Sequence, residues 1–166
     1  MKKILVIMLS VIIICFTGCG KKYDPLPNAE ELLNQIKKSV STIGRIEAFD
    51  ESSDPNGKLG RPGEYISKAD FEDTRIDQIG EYLIGGTLET FENSSDCIKR
   101  YEYLKSLQDP SLGAFGVTQY IYKYDNVLLR IEYDLTPEQA QEYHARFDEI
   151  MSKYQDIKSQ KADTSE

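Results

Sequence analysis

The feature that most constrains this chain is one stretch, residues 119–133. Gln119 to Tyr124 and Val127 to Tyr133 are β-rich runs on either side of Asp125-Asn126, a good two-residue hairpin turn. Such a turn pairs Tyr124 with Val127, Tyr122 with Leu129 and Tyr120 with Ile131. Those six side chains then share one face, the inner one. Gln119, Ile121, Lys123, Leu128, Arg130 and Glu132 share the other, a mixed and mostly polar set. A slip of one residue would exchange the two sets, so the register is strongly specified.

Helical patterns flank the hairpin. Downstream, Thr136 is a predicted N-cap, Pro137 the first helical residue and Gln139 the partner in a capping box. Ala140, Tyr143, Phe147, Ile150, Met151 and Tyr154 then run down one side, and residues 156–166 form a polar tail. Upstream, Ser94 or Ser95 caps a helix over 96–107, with Cys97, Ile98, Tyr101, Leu104 and Leu107 as its inner stripe. A first helix is expected over 28–43. Asn28 caps it, Glu31 sits in capping-box position, Leu32, Leu33, Ile36, Val40 and Ile43 keep helical spacing, and Gly44 stops it.

The middle of the chain is less regular. Residues 49–63 are rich in Gly, Pro, Ser, Asp and Asn and read as a loop. An irregular segment leads into an edge strand near 71–76, and another strand fits best at 87–91, after a turn or bulge at Gly85-Gly86. The simplest arrangement is an α+β two-layer sandwich: a small antiparallel sheet with helices packed on one face, preceded by an N-terminal helix.

The N-terminus carries a different signal. Met1-Lys2-Lys3 is basic, and residues 4–16 are apolar apart from Ser10. As a helix this run spans about 20 Å, against roughly 30 Å of membrane hydrocarbon, so it suits a signal peptide better than a permanent span. The run ends in Phe16-Thr17-Gly18-Cys19, which resembles the lipobox of bacterial lipoproteins, with Phe16 in place of the usual Leu. That resemblance implies cleavage before Cys19 and acylation of its thiol, leaving the protein lipid-anchored on the outer face of the cell membrane. Residues 1–18 are then signal peptide, 19–27 a lipid-anchored stalk, 28–155 a single domain and 156–166 the tail.

Charge narrows the function. The chain carries −8 overall, and removing residues 1–18, which hold Lys2, Lys3 and no acidic residue, leaves −10. That balance argues against nucleic-acid partners and against lying flat on an anionic bilayer. Cys97 is the one cysteine left in the domain, so no internal disulfide forms; at its helix position it reads as a buried small hydrophobe.

Catalytic motifs give little. His144 is the only histidine, with no Ser or Cys motif pointing to it. HExxH, CxxC, GxSxG and phosphate-loop patterns are absent from the sequence, and no cofactor or metal site is expected. Ser52, Asp54, Asn56 and Gly57 resemble the first half of a calcium loop. The twelfth position, Gly63 or Arg61 depending on the start, cannot supply the required carboxylate.

One loop is unusually specific: Asn56-Gly57-Lys58-Leu59-Gly60-Arg61-Pro62-Gly63-Glu64-Tyr65. Two readings stay open for it. It is a turn holding the first strand, or a recognition loop with Asn56, Gly57, Arg61 and Tyr65 as binding residues, Arg61 the donor and Tyr65 the platform. With Ser67-Lys68, Phe71, Asp73, Arg75, Gly85 to Phe91, Arg100, Tyr101, Leu104, Leu129-Arg130 and Leu135-Thr136-Pro137, this segment resembles small secreted proteins and lipoproteins of Gram-positive bacteria. The resemblance implies class and location and attaches no activity. The expectation is a non-enzymatic envelope module that binds another protein or a wall component. The alternative is a hydrolase of wall polymer or peptide, which needs a cleft joining His144 or Cys97 to carboxylates.

Overall fold

In the computed structural model, residues 26–109, 111 and 118–163 are described. The leader, Cys19 and most of the stalk lie outside them. The elements are α1 (Ala29–Lys37), β1 (Ile43–Ala48), β2 (Ser67–Asp73), β3 (Gly85–Thr90), α2 (Ser94–Ser106), β4 (Gln119–Tyr124), β5 (Val127–Glu132) and α3 (Pro137–Asp163). The strands form one sheet in the order β1-β2-β3-β5-β4, antiparallel throughout. The α+β class, the antiparallel sheet and the leading helix are as expected.

α1 starts at the expected capping box. The Asn28 side chain accepts from the Glu31 N–H at 2.9 Å, and the Glu31 carboxylate accepts from the Asn28 N–H at 3.2 Å. It does not run to residue 43. Val40 closes a tight turn by donating to the Ile36 carbonyl, and Ile43 opens β1 opposite Asp73. Ile43 keeps the helical spacing of the apolar stripe but enters the core from a strand, so ladder pairing overrides the period. Gly44 lies within the register irregularity of β1, where a Cβ would collide with the Glu72 side chain.

The missed strand explains a second correction. β2 spans Ser67–Asp73 and lies between β1 and β3, so it is not an edge. Its outward charges, Lys68 and Asp70, made it look exposed. Gly85 and Gly86 open β3 as paired residues rather than forming a turn. At Gly86 an added Cβ would meet the Phe71 ring at 2.7 Å, so glycine is what lets that ring lie against the strand.

The hairpin has the expected register: Tyr124 faces Val127, Tyr122 faces Leu129 and Tyr120 faces Ile131. Its turn uses Asp125 at φ 48, and Asn126 ties it to the end of β3 through its side chain and the Phe91 carbonyl at 2.6 Å. The inner face, with Ala69, Phe71 and Leu88, packs under α1 and α3. Ring contacts set α3 on it: Phe71 against Tyr143 at 5.3 Å, Tyr122 stacked on His144 at 4.0 Å and Tyr124 edge-on to Phe147 at 6.5 Å.

α2 departs from the one-faced picture. A second core of Tyr65, Phe91, Cys97, Leu104 and Leu128 lies on the opposite face, under α2 and the 49–65 loop. Asn93, not Ser94 or Ser95, is the N-cap, accepting from the Asp96 N–H at 3.0 Å. Within the expected stripe Ile98 is 44% exposed, and the helix buries Arg100 instead. The sheet face beneath it is charged, so an arginine rather than an isoleucine finds its partner there. α3 carries the expected Thr136–Gln139 box and continues to Asp163, so most of the expected tail is helical. Glu149 pairs with Arg146 and Lys153 along its exposed side.

Candidate functional site

The 49–65 loop is organised by Asp54. Its carboxylate accepts from the backbone N–H groups of Lys58 at 2.8 Å and Leu59 at 3.1 Å, the Tyr65 hydroxyl at 2.7 Å and the Lys68 ammonium at 3.1 Å. Burial acts to raise its pKa, but the hydrogen bonds from Tyr65, Lys58, Lys68 and Leu59 outweigh it and hold Asp54 below the ordinary carboxylate range. Asp54, Asn56 and Gly57 looked like half a calcium loop because an aspartate must fold the backbone around itself in either case.

Three of the four candidate binding residues are knitted into this turn. Tyr65 is fully buried, edge-on to Phe91 at 6.3 Å, so it is no surface platform. Asn56 donates to the Tyr65 hydroxyl at 3.3 Å. Gly57 sits at φ 58, where a side chain would be strained. Arg61 is exposed on the rim, and its backbone N–H donates to the Lys58 carbonyl at 3.1 Å. The geometry favours the turn over the recognition loop.

Beneath the loop the polar side of the sheet forms a buried charge network. Lys68 and Glu89 face each other across β2 and β3. Glu89 accepts from Arg100 Nε at 3.1 Å and Nη2 at 2.9 Å, and from Arg130 Nη2 at 3.2 Å. Arg100 also lies over the rings of Tyr65 and Tyr103. Asp70, Thr87 and Arg130 form the next row across the sheet. Among the described residues, Asp70 Oδ1 and Arg130 Nε are buried without a hydrogen-bond partner. Burial raises the pKa of Asp70, and burial likewise raises Glu132 although Gln119 donates to it at 2.7 Å. Sequence reading missed this row because its members come from three strands.

The nucleophile candidates are kept apart. Burial pushes the Cys97 thiol up to about 12, and Cys97 belongs to the core under α2. His144 lies on the other face, stacked on Tyr122, with Nε2 3.2 Å from Asp148 on its own helix. The sheet separates the two. Among the described residues no group of three or more His, Cys, Asp and Glu is placed to hold a metal ion.

A different surface is built at the far end of β2. Asp73, buried, accepts from Arg75 Nε at 3.0 Å and Nη2 at 2.7 Å, and from the Tyr143 hydroxyl. Arg75 Nη1 reaches Glu142 at 3.0 Å. The loop 74–84 is closed by one side chain: Gln78 donates to the carbonyls of Asp73, Ile76 and Ile84 and accepts from the Ile84 N–H at 2.7 Å. Arg45 holds the Glu81 carbonyl at 3.0 Å. Within the loop Ile79 is 73% and Tyr82 82% exposed. Beside it lies an open depression of about 370 Å³ lined by Arg75, Ile76, Asp77, Ile79, Ile84 and Asp134. No sequence period marks this site, since its apolar residues stand in a loop. Comparison with protein-family models, with curated proteins and with solved structures gives no match to this chain.

Proposed function

We propose that this chain is a membrane-anchored extracytoplasmic lipoprotein, attached through lipid on Cys19, whose domain binds a protein partner with the 74–84 loop. The observation that carries the binding reading is that loop. Gln78 ties its two ends together and Arg45 holds the Glu81 carbonyl, yet Ile79 and Tyr82 stay in solvent beside an open depression. Exposed apolar side chains grouped beside a depression favour association, because burying them removes apolar surface from water.

Two features support presentation from a tether. The basic and apolar run before Cys19 has the pattern of an export signal. The Ala29 N–H donates to Ser67, at the first residue of β2, while the loop follows Asp73, at its last. Seven strand residues put roughly 20 Å between the start of the domain and the loop. A chain anchored ahead of residue 26 holds the loop at the far end.

Labelled palmitate tests the anchor: it should enter wild type and not Cys19→Ser, which should accumulate as precursor. Equal labelling would refute attachment at Cys19. A photo-cross-linking amino acid at position 82 tests the surface in intact cells. It should give a discrete adduct that the same group at position 99, on exposed α2, does not give. Identical adducts from both positions, or none from position 82, would count against the loop.

A further inference from the structure

The charge around the 74–84 depression narrows what enters it. Its apolar walls are Ile76, Ile79 and Ile84, and its acidic residues are Asp77 and Asp134, both exposed. The one cation in the lining, Arg75, is already committed. Its Nε and Nη2 are held by Asp73 and its Nη1 by Glu142. With Arg75 neutralised by Asp73 and Glu142, the charges left in the lining are those of Asp77 and Asp134. In the same loop Glu81 offsets Arg45, which spends one nitrogen on the Glu81 backbone. The depression therefore combines an aliphatic lining with a surplus of negative charge.

Resting on the reading of this loop as a binding surface, we infer that the depression takes a lysine or arginine side chain from a basic segment of a protein partner. A long basic side chain is aliphatic along its stem and charged at its tip. The stem would lie against the three isoleucines and the head between Asp77 and Asp134. Ile79 and Tyr82 would then cover flanking residues of the partner. An acidic segment would meet like charge, and a wholly apolar one would desolvate two carboxylates without pairing them. A second copy of this chain is disfavoured by its own charge of −8.

The test uses the full chain purified in detergent, with isoleucine methyl groups labelled for NMR. The probe is acetyl-tetralysine amide, and the control is the same peptide with every lysine acetylated. The methyls of Ile76, Ile79 and Ile84 should shift saturably with tetralysine, while core methyls such as Ile36 and Ile131 stay fixed. The acetylated peptide should leave them unmoved. Asp77→Asn combined with Asp134→Asn should weaken tetralysine binding by about tenfold or more, with core methyls confirming the fold. Glu102→Gln, on exposed α2, should have no effect. The inference is overturned if the acetylated peptide binds equally, if the double variant keeps full affinity, or if shifts spread over the surface without preference. Concentration-dependent shifts of the same methyls without peptide would put a second copy in the depression and also overturn it. Cross-linking from position 82 that persists while tetralysine fails would leave the binding surface standing and remove its basic partner. Failure of both would remove the surface as well.

Discussion

Asp54 accepts from two backbone N–H groups, a tyrosine hydroxyl and a lysine ammonium, and its removal would leave Lys68 buried without its ion-pair partner. Asp54→Ala should therefore cost about 3–5 kcal/mol in urea unfolding, the usual penalty for orphaning one member of a buried pair. Asp54→Asn keeps the shape and one acceptor oxygen but no charge for Lys68, and should cost less than Asp54→Ala while remaining destabilising. Arg61→Ala should stay within about 0.5 kcal/mol of wild type, because the exposed arginine joins the turn through its backbone. An Asp54→Ala variant as stable as wild type would show that the loop does not depend on this residue. The specificity of Asn56 to Tyr65 was legible in the sequence, but its cause was not. The partners of Asp54 arrive from positions up to fourteen residues away, and only folding shows that Tyr65 turns inward rather than out.

At the scale of elements, local signals were read well where chemistry and period agree. Both capping boxes depend on residues three apart, and the hairpin register follows from its two-residue turn and strict alternation. β1 was lost because Val40 and Ile43 keep helical spacing, and only pairing with β2 reveals a strand. Losing β1 demoted β2 to an edge. The far end of α3 was read as tail because its apolar stripe stops at Tyr154, whose hydroxyl accepts from Gln35 at 2.9 Å. A helix can outlast its core when its residues favour helix and its charges are spaced in turns, as Glu149 and Lys153 are. Ending the chain after Gln155 should then lower the helical circular-dichroism signal and change the urea midpoint little, by less than about 1 kcal/mol of stability. A loss of several times that would mean the last turns pack on the domain.

Over the whole molecule, two groups of carboxylates titrate against each other. Asp54 and Asp73 are held below the ordinary range by their hydrogen-bond and ion-pair partners, against burial. Their stabilisation is fully present above the unfolded pKa of about 4 and is lost as pH falls through their lower folded values. Asp70 and Glu132 are raised by burial, so the folded state holds protons there that the unfolded chain has released. Stability from that source is present below about 4 and falls as pH rises through their folded values. The net charge of −8 works in the same direction, since self-repulsion grows as carboxylates ionise. Stability from Asp70 and Glu132 should therefore fall as pH rises above about 4, until both are ionised in the folded protein. Asp70→Asn with Glu132→Gln should flatten the decline and raise the urea midpoint at pH 7 while leaving the acid side unchanged. The part due to net charge should shrink with added salt, whereas the part due to the half-buried Asp70 and Glu132 should shrink less. Urea titrations of both proteins from pH 3 to 8, at low and high salt, separate the two. An unchanged slope in the double variant would show that Asp70 and Glu132 ionise freely in the folded protein.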